Sequence, residues 1–163
     1  MNLRKIINPW EKIEGFKCFG CSPQNPIGLH LCFYEDGDEV VGTWVPSDLY
    51  DGWIGTLHGG IQSLILDEVS SWTISRKIQL AGVTTKMEIR YKKPLSSTDG
   101  AIKISAKIDK QRRNIVVVEA VLMNATGEVC TEATCTYYTY PKGTGVHGMS
   151  FDHCYVEGED EIG

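Results

Sequence analysis

The sequence predicts an α+β fold in which one long helix is wrapped by a mostly antiparallel sheet. Three observations carry this. Ile61, Ile65, Val69 and Trp72 recur at helical spacing, and Leu64 and Leu66 widen the apolar stripe. Past Gly82 the pattern switches to strict alternation, Val83, Thr85, Met87, Ile89 and Tyr91 against Thr84, Lys86, Glu88, Arg90 and Lys92. Strand patterns stand on both sides of the single helix and are joined by short turns, the order of α+β rather than alternating α/β chains.

The elements follow in order. Residues 1–28 read as irregular, because Pro9, Gly15, Gly20, Pro23 and Pro26 interrupt any period. Leu29, Leu31 and Phe33 alternate with His30, Cys32 and Tyr34, which predicts a strand. Asp36-Gly37 is a turn signal, and Glu39 to Val45 completes a hairpin. Pro46 to Thr56 is a glycine-bearing loop. The helix is expected from Gly59 to Ile78, ended by Gly82 and its neighbours. Its apolar surface is wide enough to need covering on several sides. After the strand at 83–92, Pro94 to Gly100 is a loop and Ile102, Ile104, Ala106 and Ile108 form a strand. The polar run Asp109 to Asn114 turns the chain. Ile115 to Met123 is apolar on both faces, as a central strand is. Asn124 to Gly127 is a tight turn, and Val129 to Tyr140 is the last long strand. From Pro141 the period is lost and the chain ends acidic (Glu157, Glu159, Asp160, Glu161), which predicts a mobile tail. The organisation is therefore an irregular segment 1–28, a folded domain 29–140 and a C-terminal tail 141–163.

Bulk properties narrow the function. A chain of 163 residues, 42% hydrophobic, can bury one core without a disulfide or metal staple. A net charge of −5 argues against a nucleic-acid partner, and an anionic substrate would need a local basic patch. No stretch reaches the roughly 18 apolar residues of a membrane span. Met1 to Lys12 lacks the apolar core of a secretory signal, so a cytoplasmic location and no membrane association are expected. Of six cysteines, Cys18 and Cys21 form one CxxC, and His30 and Cys32 could complete four zinc ligands on paper. Pro23, Pro26 and Gly28 mark that region as loop, and reduced cysteines packed in a loop are the favoured reading, with no metal expected.

The chemistry-bearing positions cluster around the helix. His58-Gly59-Gly60 opens it. A helix N-terminus offers unpaired N–H groups and a positive dipole end, and two glycines let a ligand approach closely, so the turn suits an oxyanion. Plain turn-making would use the same glycines. His58 either caps the helix or orients a substrate. Two turns on, Asp67 and Glu68 are both candidate carboxylates, for general-base or nucleophilic work. At about 100° per residue, Glu68 projects nearer the stripe centre. Lys110, Arg112 and Arg113 cluster in one expected turn, and Arg90, Lys92 and Lys93 end a strand. Either set could hold phosphates, although a solvated surface is the commoner meaning. Trp44 and Trp72 read as core, and Trp53, before the glycine turn, reads as a pocket wall.

These motifs together are similar to one family. His58-Gly59-Gly60 with Asp67 nine residues after the histidine resembles the PaaI-type thioesterases of the hotdog superfamily. Cys18-Phe19-Gly20-Cys21, Asn25-Pro26-Ile27-Gly28-Leu29, Gly52 to Leu57, Val83-Thr84 and Arg90-Tyr91 with Pro94 resemble further segments of one branch, so the likeness runs from about residue 16 to 140. The resemblance implies a hotdog fold and metal-independent, cofactor-free hydrolysis of acyl-CoA. It also implies a homodimer with one continuous sheet and active sites at the subunit interface, with further pairing to a tetramer left open. By similarity Asp67 is the catalytic carboxylate, with Glu68 the alternative. The Gly59 N–H binds the thioester oxygen beside Gly60, and Thr84 of the partner subunit aligns the carboxylate or water. Relatives often carry an asparagine or glutamine near Asp51 and Gly52, and a proline at Ile54. Asp51 would then take over substrate positioning, and a non-catalytic acyl-CoA binder is the second reading.

Overall fold

The computed structural model describes residues 2–145 and 149–159. Its elements are β1 (Arg4–Lys5), β2 (Tyr34–Asp36), β3 (Glu39–Trp44), a 3-10 turn (Asp48–Tyr50), α1 (Gly59–Lys77), β4 (Gly82–Tyr91), β5 (Ile102–Arg112), β6 (Ile115–Met123) and β7 (Val129–Thr139). The strands form one seven-stranded antiparallel sheet in the order β1-β2-β3-β5-β6-β7-β4. α1 leaves β3 on one side of the sheet and delivers the chain to β4 at the opposite edge. The sheet curls around the helix, and β3 to β7 all contact it. This is the hotdog architecture.

The core explains the wrapping. Ile65, Leu66, Val69 and Trp72 of α1 are buried against Phe33, Val40, Ile104, Val118 and Leu122. Ser70 and Thr73 are buried too, and their hydroxyls donate to the Leu66 and Val69 carbonyls at 2.7 Å each, one turn back. Those bonds satisfy hydroxyls that an apolar interior would otherwise penalise. Small side chains at such positions let several strands approach the helix closely.

Four expectations are corrected. Leu29, Leu31 and Phe33 are buried and His30 and Cys32 exposed, as alternation predicts, but 29–33 is not a strand. The Leu29 and Leu31 N–H groups donate to the Phe19 and Gly20 carbonyls, and His30 sits at φ +54°, so the segment packs on the CxxC loop and joins the sheet only at Tyr34. The helix ends at Lys77 with Gln79 at φ +59°, and Gly82 already pairs with Thr139 in β4. Asp109 to Arg112 belongs to β5. The turn is Arg113-Asn114 alone, with Arg113 at φ +55° and a bulge between Ile108 and Lys110 absorbing the odd residue. The tail is not loose over its described part. Phe151, Cys154 and Val156 are buried, Ile7 N–H donates to the Tyr155 carbonyl, and Glu157 N–H donates to the Lys5 carbonyl. Asp160 and Glu161 lie outside the described residues. Among those residues no helix is long and apolar enough to cross a membrane.

Candidate active site

The entry to α1 is built by the loop before it. Asp51 pairs with Leu57 across that loop, and its Oδ2 accepts from the Gly55 N–H at 2.9 Å. Gln62, buried, donates from Nε2 to the Leu57 carbonyl at 3.0 Å and accepts from Thr131. The glycine turn is thus fixed from below. Asp51 spends one oxygen closing the loop, and its Oδ1 is buried without a partner among the described residues. Asp51 thus closes the loop that leads into the glycine turn.

His58 is the N-cap. Its Nδ1 accepts from the Gly60 N–H at 2.8 Å, which puts the ring proton of the neutral form on Nε2. With Gly60 capped, the Gly59 N–H has no acceptor among the described residues. A Cβ on Gly59 would lie 3.4 Å from the Tyr91 ring, and one on Gly60 would lie 3.0 Å from His58 Nδ1. The Tyr91 hydroxyl donates to the Gly59 carbonyl at 2.8 Å and lies 2.8 Å from Ser63 Oγ. A cavity of about 500 Å³ opens here, lined by Trp53, His58, Gly59, Gln62, Tyr91 and Lys92 among others. Trp53 is 84% exposed and stands at its rim as expected. A concavity of about 530 Å³ on the sheet face turned away from α1 is marginally larger, but the charged side chains Glu88, Arg90, Glu119 and Glu132 line it and no glycine turn or helix end faces it.

Asp67 is half-buried. Thr84 Oγ1 donates to its Oδ1 at 2.7 Å, and the Tyr137 hydroxyl donates to the same oxygen at 2.5 Å while lying 2.8 Å from the Asp67 carbonyl. Burial, and then the neighbouring Asp67 charge, push the Tyr137 phenol well above its ordinary range, so it remains a donor. Both bonds use Oδ1, and Oδ2 has no hydrogen-bond partner among the described residues. The expected threonine contact is present, but within one chain rather than across a subunit boundary. Tyr137 was not foreseen. Its only sequence signal is an aromatic residue at an inward position of β7.

Glu68 points elsewhere. Trp72 Nε1 donates to its Oε1 at 3.0 Å, and the Cys18 thiol lies 3.5 Å from both of its oxygens. The rival carboxylate is therefore removed from the Thr84–Asp67–Tyr137 cluster. Trp72 packs on Phe33 at 5.2 Å, and Trp44 donates to the Leu29 carbonyl, so both are structural as expected. Lys110, Arg112 and Arg113 are exposed at the β5–β6 hairpin and have no carboxylate partner among the described residues. That hairpin lies at the Thr84 end of the sheet, since Ile115 pairs with Tyr138 and Tyr138 with Val83. By contrast Arg90 and Lys92 lie within 4.0 and 3.9 Å of Glu132, and Lys93 within 2.9 Å of Glu128.

One distance governs the arrangement. Gly59 and Asp67 stand eight residues apart on one helix, about 12 Å at 1.5 Å per residue. Their backbone positions are thus two helical turns apart within one chain.

Comparisons with known proteins agree with this architecture. The model of the thioesterase superfamily matches residues 54–131. No curated protein matches the sequence. Among solved structures, a thioesterase superfamily protein aligns at 22% identity and TM-score 0.68, covering 73% of this chain; this chain spans only 58% of that one. A hypothetical thioesterase from Streptococcus pneumoniae, crystallised with coenzyme A, aligns at 25% identity and TM-score 0.61, covering 66% of this chain and 84% of its own. Forms of that protein with a threonine or an aspartate replaced match as well. The zebra fish thioesterase superfamily member 2 aligns at 23% identity and TM-score 0.61, covering 68% and 81%.

Proposed function

We propose that this chain, a member of the thioesterase superfamily, hydrolyses an acyl-CoA thioester to the free acid and CoA with Asp67 as general base. The observation that carries this reading is the Asp67 carboxylate, fixed through one oxygen by Thr84 and Tyr137, with the other unpartnered among the described residues. Oδ2 takes a proton from water as the water oxygen attacks the carbonyl carbon. The carbonyl oxygen gains the negative charge and is bound by the Gly59 N–H at the positive end of α1. Collapse of the intermediate breaks the C–S bond, and the departing thiolate takes the proton back. Coenzyme A in the streptococcal relative supports this ligand class. Lys110, Arg112 and Arg113, free of carboxylates, suit its phosphates better than the paired Arg90, Lys92 and Lys93.

The two-turn separation of Gly59 and Asp67 fits a homodimer as the active unit, each chain completing the other's site. β4 is a ten-residue edge strand with one side unpaired among the described residues, the kind of edge that recruits another strand. Antiparallel two-fold pairing of β4 with a second copy sets Thr84 of one chain near the Tyr91 end of the other. Each carboxylate then meets the glycine turn of the neighbouring chain, and two sites form at the interface of one continuous sheet. The PaaI-type branch of the family is the closest description of this set of residues.

The test is release of free thiol from short, medium and aryl acyl-CoAs by the purified chain, with Asp67→Asn and Glu68→Gln beside it. Turnover that Asp67→Asn abolishes and Glu68→Gln retains is expected. Thermal stabilisation by acyl-CoA without turnover would instead make the chain a binder. Loss of activity in Glu68→Gln alone would move the base to the other carboxylate.

A further inference from the structure

We infer that Cys18, Cys21 and Glu68 form a zinc-class metal site that clamps the N-terminal segment onto α1. The inference stands apart from the hydrolysis reading. One ligand atom from each of the three residues lies within 4.8 Å of the others. Cys18 Sγ is 3.5 Å from both carboxylate oxygens of Glu68. A tetrahedral zinc with Zn–S of about 2.3 Å and Zn–O of about 2.1 Å requires an S···O edge of about 3.6 Å, so the thiol and the carboxylate already stand at ligand spacing.

The surroundings are built for such a group. Gly20, between the cysteines, is buried, and a Cβ there would lie 2.6 Å from Glu68 Oε2, so a larger residue at 20 would push the Glu68 carboxylate from its place. Trp72 Nε1 donates to Oε1 at 3.0 Å and orients the carboxylate, the usual task of an outer-shell group. Asn8 Nδ2 lies 3.6 Å from Cys21 Sγ. Glu68 is half-buried and has no cation among the described residues, so its charge is otherwise uncompensated. Two thiolates and a carboxylate suit zinc rather than calcium or magnesium. Binding releases the two thiol protons, and a dication with three anionic ligands leaves a formal charge of −1. The fourth position faces a cavity of about 220 Å³ lined by Trp10, Phe16, Ser71 and Trp72, where water completes the shell. His30 and Cys32 are not ligands. The His30 ring lies 2.5 Å from the Asn25 carbonyl, and Cys32 is exposed near its own turn.

The test uses the full chain, purified under reducing conditions, stripped and then titrated with Zn²⁺ or Co²⁺. One equivalent per chain is expected, with thiolate-to-cobalt charge-transfer bands and the visible bands of a tetrahedral ion. Cys18→Ser and Cys21→Ser lose the charge-transfer bands, and Cys32→Ser keeps them. Trp72→Phe, which removes the N–H on Glu68 along with part of a buried ring, weakens metal binding at least roughly tenfold, with the melting temperature of the metal-free chain as the control for lost packing. If the cysteine variants do not fold, chelation answers the same question: it lowers the melting temperature of the wild-type chain and leaves that of Glu68→Gln unchanged. No stoichiometric metal in the reduced chain, cobalt bands that survive Cys18→Ser, or a Cys18–Cys21 disulfide in protein kept anaerobic would each overturn the site.

Discussion

Removing one oxygen from Tyr137 tests the site most directly. Tyr137→Phe keeps a ring that is 1% exposed and deletes only the hydroxyl that donates to Asp67 Oδ1 at 2.5 Å. A hydrogen bond to a charged acceptor is worth ~1.5–3 kcal/mol. Thr84 still donates at 2.7 Å, so Asp67 keeps one of the two donors that orient it. At 1.36 kcal/mol per decade, kcat should fall roughly 10- to 100-fold. KM should hardly move, because the phenol touches the carboxylate and not the substrate. Steady-state thiol release from an acyl-CoA reads both constants, with a thermal melt as control for folding. The decisive arm is the double variant: combined with Asp67→Asn, Tyr137→Phe should cost little further, since both act through one group. A kcat within twofold of wild type in the single variant, or full additivity in the double, would refute the positioning role and with it the assignment of Asp67.

Four other outcomes follow from the same geometry. Single-turnover hydrolysis in ¹⁸O-water should label the released acid and leave Asp67 unlabelled; label in Asp67 would make it a nucleophile through a mixed anhydride. Neutralising Lys110, Arg112 and Arg113 together should raise KM for acyl-CoA and leave an acyl-pantetheine substrate unaffected, which separates phosphate binding from acyl binding. His58→Ala removes the Nδ1 acceptor of the Gly60 N–H and should cost about 1 kcal/mol in chemical denaturation. Glu35 supplies a pH dependence. Burial raises its pKa, but Arg76, Lys77 and Arg4 outweigh that and hold it at about 2, below the ordinary 4.5. The folded state thus prefers the ionised form. That stability is fully present above pH 4.5 and is lost as pH falls toward 2, at most roughly 3 kcal/mol. Glu35→Gln should flatten acid unfolding across that window, and an unchanged profile would count against the Glu35 network.

The proposed homodimer rests on the outer edge of β4, ten residues with no second partner strand among the described residues, which would pair with its counterpart and bring the glycine turn of one chain toward the carboxylate of the other. A monomeric chain with full activity by sedimentation and assay would contradict that picture.

Local pattern was enough for the helix and the long strands. The spacing of Ile61, Ile65, Val69 and Trp72 fixes a face, and the alternation from Val83 to Tyr91 fixes a strand, because both periods come from backbone geometry that each residue carries with it. The glycine turn and its cap were legible for the same reason, since His58, Gly59 and Gly60 act on one another within a few residues. Non-local contacts were not legible. Leu29 to Phe33 alternates like a strand, yet the Leu29 and Leu31 N–H groups go to residues 19 and 20, and in the acidic tail the buried Val156 bridges to Ile6 while its neighbours bond to Lys5 and Ile7. The surroundings of Asp67 and Glu68 belonged to tertiary structure as well. Periodicity alone favoured Glu68, but Thr84 and Tyr137, 17 and 70 residues from Asp67, hold one carboxylate, while Trp72 and Cys18 hold the other. A side chain's task depends on which partners the fold brings within hydrogen-bond reach, and those partners lie too far along the chain for any local period to encode.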